Sequence, residues 1–168
     1  MLVTLEAPAA ARRPLLGLLQ DLQQALEDSF ETWSPDSRAG PDRLQLGVEL
    51  LCKLEEQLLL PALKRSRAPT WPALTQAMAD VERLRELSSR IDEAEASQRA
   101  LLVGTLEGMA RLHFDALQGL LRDADAASMP WGALEREMRA LLRRWRGEIR
   151  QHGDIEDEDA DPVGHPPR

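Results

Sequence analysis

Few side chains in this sequence could do chemistry. Cys52 is the single cysteine and His113 is one of three histidines in 168 residues. A cysteine nucleophile needs a thiolate beside a base. Cys52 instead sits one residue from an apolar stripe, which predicts a buried, inert thiol. Ferritin-type di-iron bundles need Glu-x-x-His pairs, but the residue three before His113 is Ala110. No glycine-rich phosphate loop is present: Gly104 and Gly108 fall four apart within a helical stretch, a spacing that predicts close helix packing. Six arginines (Arg136, Arg139, Arg143, Arg144, Arg146 and Arg150) crowd one late segment and alternate with Glu135, Glu137 and Glu148. That alternation reads as a solvated helix face answering the helix dipole. With no nucleophile to pair with a base, the residues point away from an enzyme.

The elements that must position these groups are helices. Leu, Ala, Arg, Glu and Gln dominate, and tyrosine is absent. Leu15, Leu19, Leu22, Leu26, Phe30 and Trp33 recur at steps of three and four, predicting a first helix over 13–33. Turn formers at 34–41 end it. Leu44, Val48, Leu51, Leu54 or Glu55, and Leu58 mark a second helix ending near Arg65, with Pro61 placed to kink or terminate it. Thr70 is a candidate N-cap for a third, striped by Leu74, Met78, Val81, Leu84, Leu87 or Ser88, and Ile91. A bend at the acidic residues 92–95 separates it from a fourth, striped by Leu102, Leu106, Met109, His113, Ala116 or Leu117, and Leu120. Leu134, Met138, Leu141 or Leu142, Trp145 and Ile149 define a fifth, with Ser128 available to cap it. Trp33, Trp71, Trp131 and Trp145 are expected in the core. Short connections between five amphipathic helices predict an all-α, up-and-down four-helix bundle over 1–152 with an extra C-terminal helix.

Charge and length narrow the function classes. The chain is one domain in size, able to bury roughly 70% of its unfolded surface. A net charge of −8 disfavours a nucleic-acid surface. No apolar run approaches the roughly 20 residues that span a bilayer, and Glu6 interrupts the N-terminus where a signal peptide would be apolar. Lacking a second cysteine for an internal disulfide, the chain is expected to be cytoplasmic. Residues 153–168 hold six acids against one arginine and no stripe, which predicts a disordered acidic tail. A protein partner is the remaining expectation, with oligomeric state left open.

The segment LCKLEEQLLLP, Leu51 to Pro61, resembles the second ligand helix of the hemerythrin-like (HHE cation-binding) domain family, His-x-x-x-Glu-Glu followed by apolar residues and proline. LLQDL resembles the first ligand helix, with Leu22 after Asp21 where a ligand histidine stands. DVERLRELSSRI is similar to the third, Asp80 matching the acid and Val81, or Arg83 in a shifted register, the histidine. HFDALQGLL is similar to the fourth, keeping His113 and placing Leu117 at the glutamate. The helices come in the family's order over about residues 12–126. The resemblance implies a hemerythrin-like bundle, and in the family these positions coordinate a non-haem di-iron centre that binds or senses oxygen. Here Leu22, Leu51, Val81 and Leu117 replace ligands, and Glu55 and His113 remain as the metal positions. Two ligands cannot satisfy two irons. The resemblance therefore implies a bundle without its cofactor, acting as an interaction or regulatory protein. Its alternative is an iron- or oxygen-binding protein using Glu55 and His113 with Asp21 or Glu56.

Overall fold

The computed structural model describes the backbone of residues 7–34, 39–66, 70–124 and 128–156, and side chains within 12–34, 43–66, 70–124 and 128–146. The described chain is helical, with no strand among the described residues. Helix α1 spans Ala7–Glu31 and α2 spans Ala39–Leu54; a π-helical turn, Glu55–Leu59, leads into α3, Leu60–Arg65. Helix α4 is Trp71–Ser89, α5 is Ala96–Asp123 and α6 is Trp131–Glu156. The expected bend at 92–95 is the α4–α5 connection. Helix α6 continues past the expected 152/153 boundary to Glu156, and the rest of the acidic tail, 157–168, lies outside the described residues.

Pro61 neither ends nor breaks the second rod. A proline ring inside a helix clashes with the carbonyl four residues back and offers no N–H. The turn just before it is widened: the Leu60 N–H donates to the Glu55 carbonyl, five residues back, and the backbone stays helical through Leu59 and Leu60. The widening occurs at the residue on which the buried polar site is built.

The stripes meet as a single core. Helix α1 touches α2, α5 and α6; α2 touches α4; and α4 touches α5. Leu15, Leu19, Leu26 and Phe30 of α1 join Leu44, Val48 and Leu51 of α2, Leu74 and Val81 of α4, and Leu106 and Leu117 of α5. Burying a leucine of this kind contributes about 1.5–3 kcal/mol. Helix α6 docks through Trp131, Leu134 and Met138. Arg12 of α1 stacks over the Trp131 ring at 4.9 Å, and Lys53 of α2 over the Trp145 ring at 4.5 Å.

Several sequence expectations need correction. Met78 is exposed, because Ala77 takes its place on the buried side of α4. Trp71 is 63% exposed rather than core, its ring lying under the Lys64 ammonium at 5.4 Å. Thr70 occupies the N-cap position, but its hydroxyl makes no cap bond; Pro72, in the first turn, has no N–H to offer. Pro130, whose carbonyl accepts from Leu134, stands immediately before α6. Gly104 and Gly108 face open space, since a Cβ on either would meet nothing within 4 Å. Helix α5 has turned that side away from its neighbours among the described residues.

Candidate functional site

The helical stripes determine which polar groups are carried inward. Glu55 opens the π turn at the end of α2, and His113 lies on the buried side of α5 between Leu106 and Leu117. Both are withdrawn from solvent, Glu55 at 0% and His113 at 1% exposure. His113 Nε2 and Glu55 Oε2 are 2.6 Å apart, the short separation of a charge-assisted hydrogen bond. On the other side of the ring, Nδ1 lies 3.8 Å from Asp80 Oδ2 of α4, too far for a hydrogen bond. Asp80 Oδ1 accepts instead from Gln76 Nε2 at 2.7 Å. Among the described residues, Glu55 Oε1 and His113 Nδ1 have no hydrogen-bond partner.

Two opposing effects set the charge of the imidazole. Burial pushes the His113 pKa down, but a hydrogen bond to the Glu55 carboxylate and the negative charge of Glu55 outweigh that, and the Asp80 carboxylate adds to them. The net displacement is upward from the ordinary histidine value. Glu55 thus favours the protonated form of His113, which burial alone would disfavour, and the two side chains form a buried polar pair.

The surroundings of this pair are mostly carbon. Leu51, one turn before Glu55, is 4% exposed; Val81 is 1% and Leu117, one turn after His113, is 0%. Leu22 is half-buried and packs against the same core. Cys52 is also inside, its thiol 3.7 Å from the Val81 carbonyl. Desolvation, then the charge of Glu55, pushes the Cys52 pKa up to about 12, so the sulfur stays a thiol near neutral pH. Neither acid named for a non-standard ligand set points at the pair. Asp21 is exposed. Glu56 is held outside by Arg85, whose Nη1 and Nη2 donate to its two carboxylate oxygens at 2.8 and 2.7 Å. Arg85 Nε also reaches Glu49 at 3.3 Å.

Asp80, matched in sequence to the acid before Val81, is the residue whose closeness to His113 sequence reasoning missed: its Oδ2 lies 3.8 Å from the ring Nδ1. Its position one residue before a stripe residue was the available signal. Among the described residues no group of three or more His, Cys, Asp or Glu side chains is arranged to hold a metal ion. A di-iron centre, which needs several oxygen or nitrogen bonds per iron, does not fit the carbon surfaces of Leu51, Val81 and Leu117. The arginines of α6 whose side chains are described are exposed, and Arg139 pairs with Glu135 at 3.0 Å. No family model matches the chain, and no curated protein or solved structure matches it.

Proposed function

We propose that this chain is a hemerythrin-like, up-and-down four-helix bundle with an added C-terminal helix, whose di-iron centre has given way to apolar packing around one ion pair. It acts as a non-enzymatic interaction or regulatory protein. The observation that carries this reading is the Glu55–His113 contact: two residues at ligand positions of the resemblance are bonded to each other, among leucines and a valine at the other positions. A carboxylate whose Oε2 lies 2.6 Å from the His113 ring nitrogen has one of its oxygens already committed. The exterior supports an interaction role. Exposed Trp71 and Met78 adjoin a groove of about 390 Å³ between α3 and α4, bordered by Leu60, Pro61 and Lys64.

Metal analysis of the protein, produced in iron-supplemented medium and purified without chelators, tests the reading. Iron well below one equivalent, and an unfolding midpoint unmoved by EDTA, are the expected results. Stoichiometric iron that is lost on Glu55→Gln would overturn it in favour of a metal- or oxygen-sensing bundle.

A further inference from the structure

Helix α6 turns Trp131, Leu134, Met138 and Leu142 into the core. Its solvent side carries Arg136, Arg139, Arg143 and Arg146, all exposed and separated by three, four and three residues, the spacing that aligns side chains along one face of a helix. Arg150 occupies the next position of the row, which therefore runs for about 21 Å. Among the described residues, Arg139 pairs with Glu135 at 3.0 Å, and no carboxylate pairs with Arg136, Arg143 or Arg146. The helix dipole favours cations only in the last turn, which leaves most of this row unexplained. Past Arg150 the same spacing continues with its sign reversed. Asp154, Asp157 and Asp161 follow at steps of four, three and four, and Glu158 stands beside Asp157. A single helical period thus carries a run of arginines and then a run of acids.

We propose that this row is an interface between two copies of the chain, paired antiparallel along α6. A crossing at the level of His152 sets Arg150 opposite Asp154 of the second copy, Arg146 opposite its Glu158 and Arg143 opposite its Asp161. Two-fold symmetry repeats each pair with the roles exchanged. A parallel pair would instead set arginine against arginine, so the charges specify the direction as well as the partner. One chain cannot make the same contacts along a continuous helix: α6 is helical through Glu156, which carries the acids along the axis away from their own Arg143 and Arg146. The antiparallel copy brings them back. Its residues 157–161 pass those arginines whether they rise about 1.5 Å per residue as helix or about 3.3 Å as extended chain. The row includes neither Glu55 nor His113, so the inference does not depend on the fate of a metal site.

Sedimentation velocity of the full-length protein tests it. Exposed ion pairs are individually weak, so the dimer is expected to dissociate with a constant of about 0.5 mM or tighter. At about 0.1 M salt the Debye length of about 10 Å hides the net negative charge of the two copies while leaving contacts at bonding distance intact. At about 1 M salt, where that length is about 3 Å, the protein should be monomeric. Replacing Arg143, Arg146 and Arg150 together by Glu should weaken the dimer at least about tenfold, as should replacing Asp154, Glu158 and Asp161 together by Arg. An equimolar mixture of the two variants should restore it. Arg144→Glu, about 100° around the helix from Arg143, should leave the parent dimer unchanged. Circular dichroism checks that each variant keeps its helices. A parent that stays monomeric at about 0.1 M salt and about 0.5 mM protein would overturn the proposal. If deletion of residues 157–168 then moved the Arg143 and Arg146 side-chain resonances of that monomer, the acids would belong to the same molecule's arginines instead. A dimer that survives both charge reversals, or is lost equally with Arg144→Glu, would overturn the proposal as well.

Discussion

His113 Nε2 and Glu55 Oε2 lie 2.6 Å apart in the core although 58 residues separate them along the chain. One comes from the π turn that precedes Pro61 and the other from the middle of α5, so the contact ties two helices that lie far apart in sequence. A pair buried this completely is neither screened nor relieved by solvent. Its consequences for stability therefore depend on which partner is removed.

Removing one partner leaves the other as a buried, uncompensated charge. Glu55→Leu or His113→Leu alone should destabilise the fold by about 3–5 kcal/mol. The double variant, which removes both charges and extends the leucine packing, should recover most of that loss. Urea denaturation of the four proteins gives the cycle, and additive single costs would show that the two groups do not act as a pair.

Stability should fall on the alkaline side because of His113. Its folded pKa is raised above the unfolded value of about 6.5, mainly by Glu55 working against burial. A raised cationic group contributes stability fully below the unfolded pKa and loses it as pH climbs through the folded pKa. The difference in unfolding free energy between the parent and His113→Gln should therefore shrink as pH rises above the unfolded value of about 6.5 and through the raised folded one. Asp80→Asn should move the His113 titration, followed by its ring-proton shift, downward. An unmoved titration would assign the upward displacement to Glu55 alone.

Cys52 should resist modification in the folded protein. With its pKa pushed up to about 12 by burial and by the charge of Glu55, it offers almost no thiolate near neutral pH. Iodoacetamide should label it in urea and leave it untouched under native conditions, as read by intact mass. Rapid native labelling would show that the α2 end of the core opens readily.

Gly104 and Gly108 lie within α5 with open space where a side chain would stand. Alanine at either position should stabilise the protein by about 0.5–1 kcal/mol, through the backbone freedom that glycine loses on folding. Thermal or urea unfolding measures the gain. A loss at either position would reveal a close neighbour for that face in solution.

The periodic leucines were enough to foresee the helices, because a spacing of three and four places side chains on one face whatever the partner is. Leu15, Leu19 and Leu26, or Leu106 and Leu117, are buried as that spacing requires. Where a stripe offers two adjacent candidates, spacing cannot choose between them. Ala77 rather than Met78 turns inward, and α5 leaves its glycines outside, because each helix is rotated to suit the neighbours it meets. Trp71 follows the same logic: large and apolar, it still finds no interior site at the first turn of α4.

The polar interior divides in the same way. That His113 lies on an inward-facing stripe follows from sequence periodicity alone; on the second helix the spacing leaves Leu54 or Glu55 open, and the structure buries both, which makes Glu55 a buried carboxylate in need of a partner. That its expected partner His113 meets it directly at 2.6 Å rather than through a water, that Asp80 rather than Asp21 or Glu56 stands nearby, and that Glu56 is claimed by Arg85 were decided by the tertiary structure. The reason is geometric. Periodicity fixes the direction of a side chain to within a helical face, whereas a hydrogen bond or ion pair depends on separations of a few tenths of an ångström between different helices. Those separations are set by the packing of every leucine around them.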